Sequence, residues 1–177
     1  MVQFTRLFVS LCLIAASASA PTKRTVAQVE ADIAKISSQV TALDNDIKGF
    51  PASGLPGVLN IHSTAQSLQS NFKTATSDVK ANGAFNEADG TTILNDVLPI
   101  QPVLIGALSH IAAQKPAFAN VPGAPSLILS DLRTLKTDED AFGAALIAAA
   151  PADLEAQAVA IQNAIDTAFD KAIAAYA

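Results

Sequence analysis

The chain has almost no cysteine. Cys12 is the only one, and it lies in the apolar start of the chain. No disulfide can therefore brace the folded domain, and packing alone must hold it. Tryptophan is absent, and the aromatics are eight phenylalanines and one tyrosine. Alanine is abundant instead. Small residues let helices approach closely, but they fill less of a core where helices splay apart. His62 and His110 are the only histidines. Without a spare thiol or an H-E-x-x-H helix, no metal site is expected. There is no G-x-S-x-G elbow and no glycine-rich phosphate loop. No Asn-x-Ser/Thr sequon occurs, so N-glycosylation is not expected. No cofactor is implied.

Residues 1–18 read as a secretory signal. Arg6 precedes the short apolar core LFVSLCLIAA, and Ala16-Ser17-Ala18 is a small-x-small cleavage pattern. The apolar run is too short for a membrane anchor. Residues 19–24 then form a short pro-segment ending in the dibasic pair Lys23-Arg24. Residues 25–177 would be the mature domain, enough for one real core. The leader removes three basic residues and no acidic one, leaving 8 basic against 16 acidic, a net charge of about −8. That opposes nucleic acid and anionic membrane surfaces. The C-terminal DKAIAAYA is no anchor signal. A released, extracellular monomer is the expectation.

The fold class expected is all-α: a single-domain antiparallel bundle of about five helices with a proline-kinked central helix. Val26, Val29, Ile33, Ile36, Val40, Leu43 and Ile47 recur at alternating steps of three and four. Gly49 and Pro51 stop that helix. A second stripe runs Val58, Ile61, Ala65, Leu68, Phe72, Ala75, Val79. Asn86 with Asp89 resembles the start of a third. A fourth is expected from about Pro125 to Ala149, with Ile128, Leu132, Leu135, Phe142 and Leu146 inward. A fifth begins at Pro151, with Ile161, Ile165 and Phe169 inward.

The third helix organises the reading. Residues 93–113, ILNDVLPIQPVLIGALSHIAA, are apolar on every face and hold one charge, Asp96. Such a helix should be covered on all sides. Its length would allow a membrane span. Asn95, Asp96, Gln101, Ser109, His110 and two prolines argue against one, so no transmembrane segment is expected. Pro99 and Pro102 each remove a backbone hydrogen bond and should bend it. A bent apolar rod cannot pack as regularly as a straight one, which leaves room for something apolar.

Signals for chemistry are few. Ser109, His110 and Asp96 could be combined on paper, but neighbours on a helix point apart. Asp44, Asp46 and the run Thr137 to Asp140 read as solvated faces, the run alternatively as a local kink. The acids lack the spacing of a calcium loop. The protein is not expected to be an enzyme. A small esterase remains an alternative, as does a structural or effector protein acting through protein contacts.

The secretory start, the opening KRTVAQVEADIAKISSQVTALDNDIKGFP, the proline-broken VLPIQPVLIGALSHIAAQKPAF and the closing AAPADLEAQAVAIQNAIDTAFDKAIAAY resemble the fungal hydrophobic surface binding protein A family. That family is related to cell-wall galactomannoproteins. The resemblance implies a secreted helical bundle that adsorbs to hydrophobic surfaces, recruits a secreted hydrolase there, and holds long-chain fatty acid or other lipid between its helices. Wall association follows by the same analogy, although the chain lacks the Ser/Thr-rich tail of wall mannoproteins. No family residue maps onto a head-group site here. The stripes themselves supply the candidate lipid-binding residues: Val40, Leu68, Phe72, Val97, Leu98, Leu104, Leu108, Phe142 and Phe169. Ser67, Ser70 and Ser109 are head-group candidates by their proximity to the stripes.

Overall fold

The computed structural model describes residues 25–177. The expected signal, the dibasic pro-segment and Cys12 lie outside the described residues. Seven helical segments follow: α1 (Val26–Gly49), α2 (Gly54–Asn82), α3 (Glu87–Val97), α4 (Ile100–Ala113), α5 (Lys115–Phe118), α6 (Ala124–Ala149) and α7 (Glu155–Tyr176). Leu98 and Pro99 keep helical dihedrals between α3 and α4. The two therefore form one bent helix over Glu87–Ala113. Counted so, the described residues form six helices: five long ones and the single turn α5.

Local chemistry explains the boundaries. The Asn86 side chain accepts a hydrogen bond from the Asp89 backbone N–H at 2.9 Å, and Glu87 and Asp89 face the positive end of α3. Gly123, at a φ of +81°, turns the chain into α6, whose first turn accommodates Pro125. Two starts differ from expectation. Helix α2 begins at Gly54 rather than Val58, because Pro56 suits a first helical turn. This puts Leu55 and Leu59 on the helix surface, 56% and 54% exposed. Helix α7 begins at Glu155 rather than Pro151. Residues 151–154 make a turn closed by the Leu154 N–H on the Pro151 carbonyl at 3.0 Å.

The long helices form a closed ring. Helix α1 packs on α2, α2 on α6, α6 on α7, α7 on α4, and α4 on α1. The heptad-like stripes point inward as read: Val29, Ile33, Ile36, Val40, Leu43 and Ile47 are all buried. The expectation that the third helix is covered on all sides is corrected. It is third in the chain but one stave of the ring, and Val97, Leu98, Val103 and Ile105 are only half-buried. By length and composition it could cross a membrane. In the bundle it turns Ile93, Ile100, Leu104, Leu108 and Ile111 inward.

The two ends of the ring differ. At one end Phe118 of α5 is fully buried and stacks on Phe50, with ring centroids 4.0 Å apart. Tyr176 packs beside it, and its hydroxyl donates to the Ile111 carbonyl at 2.7 Å. At the other end α3 leans on α1 and makes no comparable packing with α6 or α7. The Phe85 N–H donates to the Ala149 carbonyl there at 2.8 Å. Gly90 comes so close to the α6–α7 connection that a Cβ would overlap the Pro151 ring.

Candidate functional site

Where α3 stands off from α6 and α7, the bundle leaves a cavity of about 70 Å³. Its walls are Ile93, Leu94 and Val97 from α3, Phe142 and Leu146 from α6, and Ala158, Ile161 and Ile165 from α7. A second void of about 20 Å³ lies deeper, among Leu104 and Leu108 of α4, Leu135 of α6 and Phe169 of α7. Ile165 of the first and Phe169 of the second are about one helical turn apart. The voids therefore sit at successive levels of one bundle axis.

The candidate residues divide among these places. Val97 and Phe142 line the larger cavity, and Leu104, Leu108 and Phe169 the smaller one. Val40, Leu68 and Phe72 are buried but line neither, and Leu98 is half-buried beside the helix junction. The three serines fare differently. Ser67, Ser70 and Ser109 are exposed and absent from both walls, and the Ser67 hydroxyl donates to the Ser63 carbonyl of its own helix.

The polar groups on the larger cavity's wall are Glu139 and Gln162. Glu139 is 4% exposed. Gln162 Nε2 donates to Glu139 Oε2 at 2.9 Å and to Asp166 Oδ1 at 3.1 Å. Glu139 Oε1 takes no hydrogen bond among the described residues. Burial, aided by the nearby Asp140 and Asp166, pushes the Glu139 carboxyl up to about 7. The reading of the Thr137 to Asp140 run as a solvated face fails here, since Asp138 and Glu139 are both buried. One signal was available: Leu132, Leu135, Glu139, Phe142 and Leu146 keep steps of three and four, so Glu139 occupies a core position of the stripe.

Glu139, Asp140 and Asp166 bring carboxylate oxygens within 4.8 Å of one another. Lys136 already provides a cation beside them, its Nζ bonded to Asp140 at 3.1 Å and to Asp166 at 3.0 Å. Gly143 explains how Gln162 reaches Glu139, because a Cβ at that position would overlap the Gln162 amide. Gly143→Ala should displace the amide, leave Glu139 without its donor, and cost about 1–3 kcal/mol in urea denaturation.

The Glu139 carboxyl also sets a pH dependence. The folded chain keeps a proton that the unfolded chain releases near 4.5. Between that value and about 7 the folded state binds more protons, so stability falls as pH rises through this window. The shift corresponds to about 3 kcal/mol. Glu139→Gln should remove that share of the slope, measured as the wild-type-minus-variant difference in urea midpoints across the window.

Both histidines tie neighbouring staves. His62 Nδ1 lies 2.8 Å from Asp131 Oδ2, joining α2 to α6, and His110 Nδ1 lies 2.9 Å from Asp44 Oδ1, joining α4 to α1. Burial pushes the Asp131 carboxyl up despite its bond to His62. Burial also acts on Asp44, but hydrogen bonds from Lys48 and His110 outweigh it and hold that carboxyl below its ordinary value. The Asp44 side chain is thus not a solvated face residue. His110 turns to Asp44 rather than Asp96, so the paper combination with Ser109 is not assembled. No hydroxyl bonds either imidazole ring among the described residues.

Comparison with known proteins places this architecture. The solved structure of AFMP4P in complex with palmitic acid superposes with a TM-score of 0.81 at 31% identity, covering 86% of this chain and 100% of that one. Ligand binding domain 1 of the Penicillium marneffei MP1 protein, complexed with arachidonic acids, has a TM-score of 0.79 at 12% identity, over 86% of this chain and 99% of that one. Domain 2 of the same protein, complexed with multiple arachidonic acids, gives 0.79 at 14% identity, over 88% and 98%. At those lower identities the likeness concerns the fold alone. No curated protein matches the chain. The sequence pattern of the family described as Hydrophobic surface binding protein A matches residues 26–148. The chain belongs to the hydrophobic surface binding protein A family.

Proposed function

We propose that the chain is a secreted, non-catalytic protein that takes long-chain fatty acids or similar single-chain lipids between α3, α6 and α7, and that adsorbs to hydrophobic surfaces by parting the same helices. The observation that supports this most is the apolar cavity at the loosely packed end of a ring without disulfides. Family membership and the palmitic acid complex of AFMP4P point the same way. The 70 Å³ of free space is below the roughly 300 Å³ of an ordinary ligand pocket. Uptake therefore requires α3 to move away from α6 and α7. Burying an acyl chain of about 16 carbons at roughly 0.8 kcal/mol per methylene offers on the order of 10 kcal/mol before ordering costs. That is sufficient for micromolar binding after part of it is spent on opening.

The bend at Leu98–Pro99 belongs to this reading. Pro99 and Pro102 lack the N–H groups that would tighten the junction, so they would produce the bend and the gap beside α3. Delipidated protein titrated with a fluorescent fatty acid should show saturable binding at micromolar protein. A flat titration there removes the reading.

Adsorption has its own support in the exposed Leu55 and Leu59, one turn apart on α2. Hydrophobic beads should deplete the protein from solution and hydrophilic beads should not. Equal depletion by both would discard this part. Residues 1–24 would serve as the secretory leader and dibasic pro-segment, releasing a monomer to the medium or the cell wall. Recruitment of a secreted hydrolase to the coated surface is the step that family resemblance adds.

A further inference from the structure

We propose that Glu139 and Gln162 form a head-group site that selects neutral, hydrogen-bonding amphiphiles, a long-chain alcohol or a protonated fatty acid, over a fatty carboxylate. This rests on the cavity reading above and specifies its ligand. Glu139 lies ten residues before the end of α6, about 15 Å inward from the loosely packed end. A head group that reaches it is out of water, with its hydrocarbon running towards Leu146 and Leu154. The rest of the wall is apolar. On this wall Gln162 bonds Glu139 through Oε2, and Glu139 Oε1 takes no hydrogen bond among the described residues. A protonated Glu139 can donate to a ligand oxygen, and an ionised one can accept from a hydroxyl.

Charge around the site has one dominant sign. On α6, Asp140 and Lys136 are close to Glu139. On α7, Asp166 is the facing acid, and Asp170 stands 4.0 Å from Lys136. Lys136 is committed to Asp140 and Asp166. The α3 wall residues Gly90, Ile93, Leu94 and Val97 carry no titratable group. On the other flank of α6, Lys73 of α2 is paired with Asp138. No free cation faces the cavity among these groups. A ligand carboxylate would meet an acid whose own proton is lost near pH 7, and like charges out of water repel strongly.

The test displaces N-phenyl-1-naphthylamine, a neutral probe, from delipidated protein with palmitic acid, hexadecanol and methyl palmitate. From about pH 5.5 to about pH 8.5, palmitic acid should weaken at least about tenfold while hexadecanol changes less than about threefold. Methyl palmitate, which has no ionising or donating head, reports the cavity alone. In Glu139→Gln the palmitic acid loss should shrink to about threefold or less, because an amide can still donate to a carboxylate. The wild-type contrast between acid and alcohol decides the matter even where the variant fails to fold. If methyl palmitate binds while acid and alcohol respond to pH in parallel, the head-group site is wrong and the carrier reading stands. If none of the three displaces the probe, both fall.

Discussion

Ala158→Leu is expected to weaken palmitic acid binding at least about tenfold, which is about 1.4 kcal/mol, while the protein melts at the same temperature or higher. Ala158 is half-buried in the first half of α7, on the wall of the 70 Å³ cavity. Three added carbons would occupy space that an acyl chain needs. They meet Leu146, Ile161 and the α3 wall rather than solvent, so the substitution resembles cavity filling, which commonly adds about 0.5–2 kcal/mol. Loss of binding through unfolding would show as a lower melting temperature and is thereby separated. An unaltered affinity in a variant with a raised melting temperature would move the ligand elsewhere, with the void around Leu104 and Phe169 as the next place to block.

Phe118→Ala should cost about 3–5 kcal/mol, the range for deleting a fully buried ring. The residue sits on a single helical turn between α4 and α6, yet it shows no exposed surface. Its ring lies nearly parallel to Phe50, at 5°, and 6.3 Å from that of Tyr176. Removing it leaves both rings facing a hole and loosens the Tyr176 hydroxyl bond to Ile111. A domain of this size has about 5–15 kcal/mol in total, and no disulfide among the described residues limits the loss. Urea denaturation measures it. A cost below about 1 kcal/mol would show that α5 is a passive connection.

The positions of the helices were legible because burial repeats along the chain. Val29 to Ile47 on α1 and Val58 to Val79 on α2 read as stripes, and those stripes are buried. The cavity was not legible. A stripe states which side chains point inward, but not which of them lacks a neighbour. Leu68 and Leu146 look alike in the sequence, and only the splay of α3 from α6 and α7 distinguishes a filled level from an empty one. Asp44, Asp131 and Glu139 were hidden for a different reason. Acids are ordinarily assigned to water, whereas these are held inside by His110 and Lys48, by His62, and by Gln162, from 4 to 69 positions away. Those pairings exist only once the ring has closed.

The aromatic contact at one end gives the bundle a pivot. Ala158 lies 18 residues before Tyr176 on α7, a lever arm of about 27 Å. A swing of roughly 10° about the Phe50–Phe118–Tyr176 stack would spread the jaw beside α3 by about 5 Å, about the width of a hydrocarbon tail. Such tweezers open without breaking the stack or any of the long helices. Amides near Phe118 should then exchange with solvent hydrogen far more slowly than those near Leu154, whether or not the jaw is holding anything.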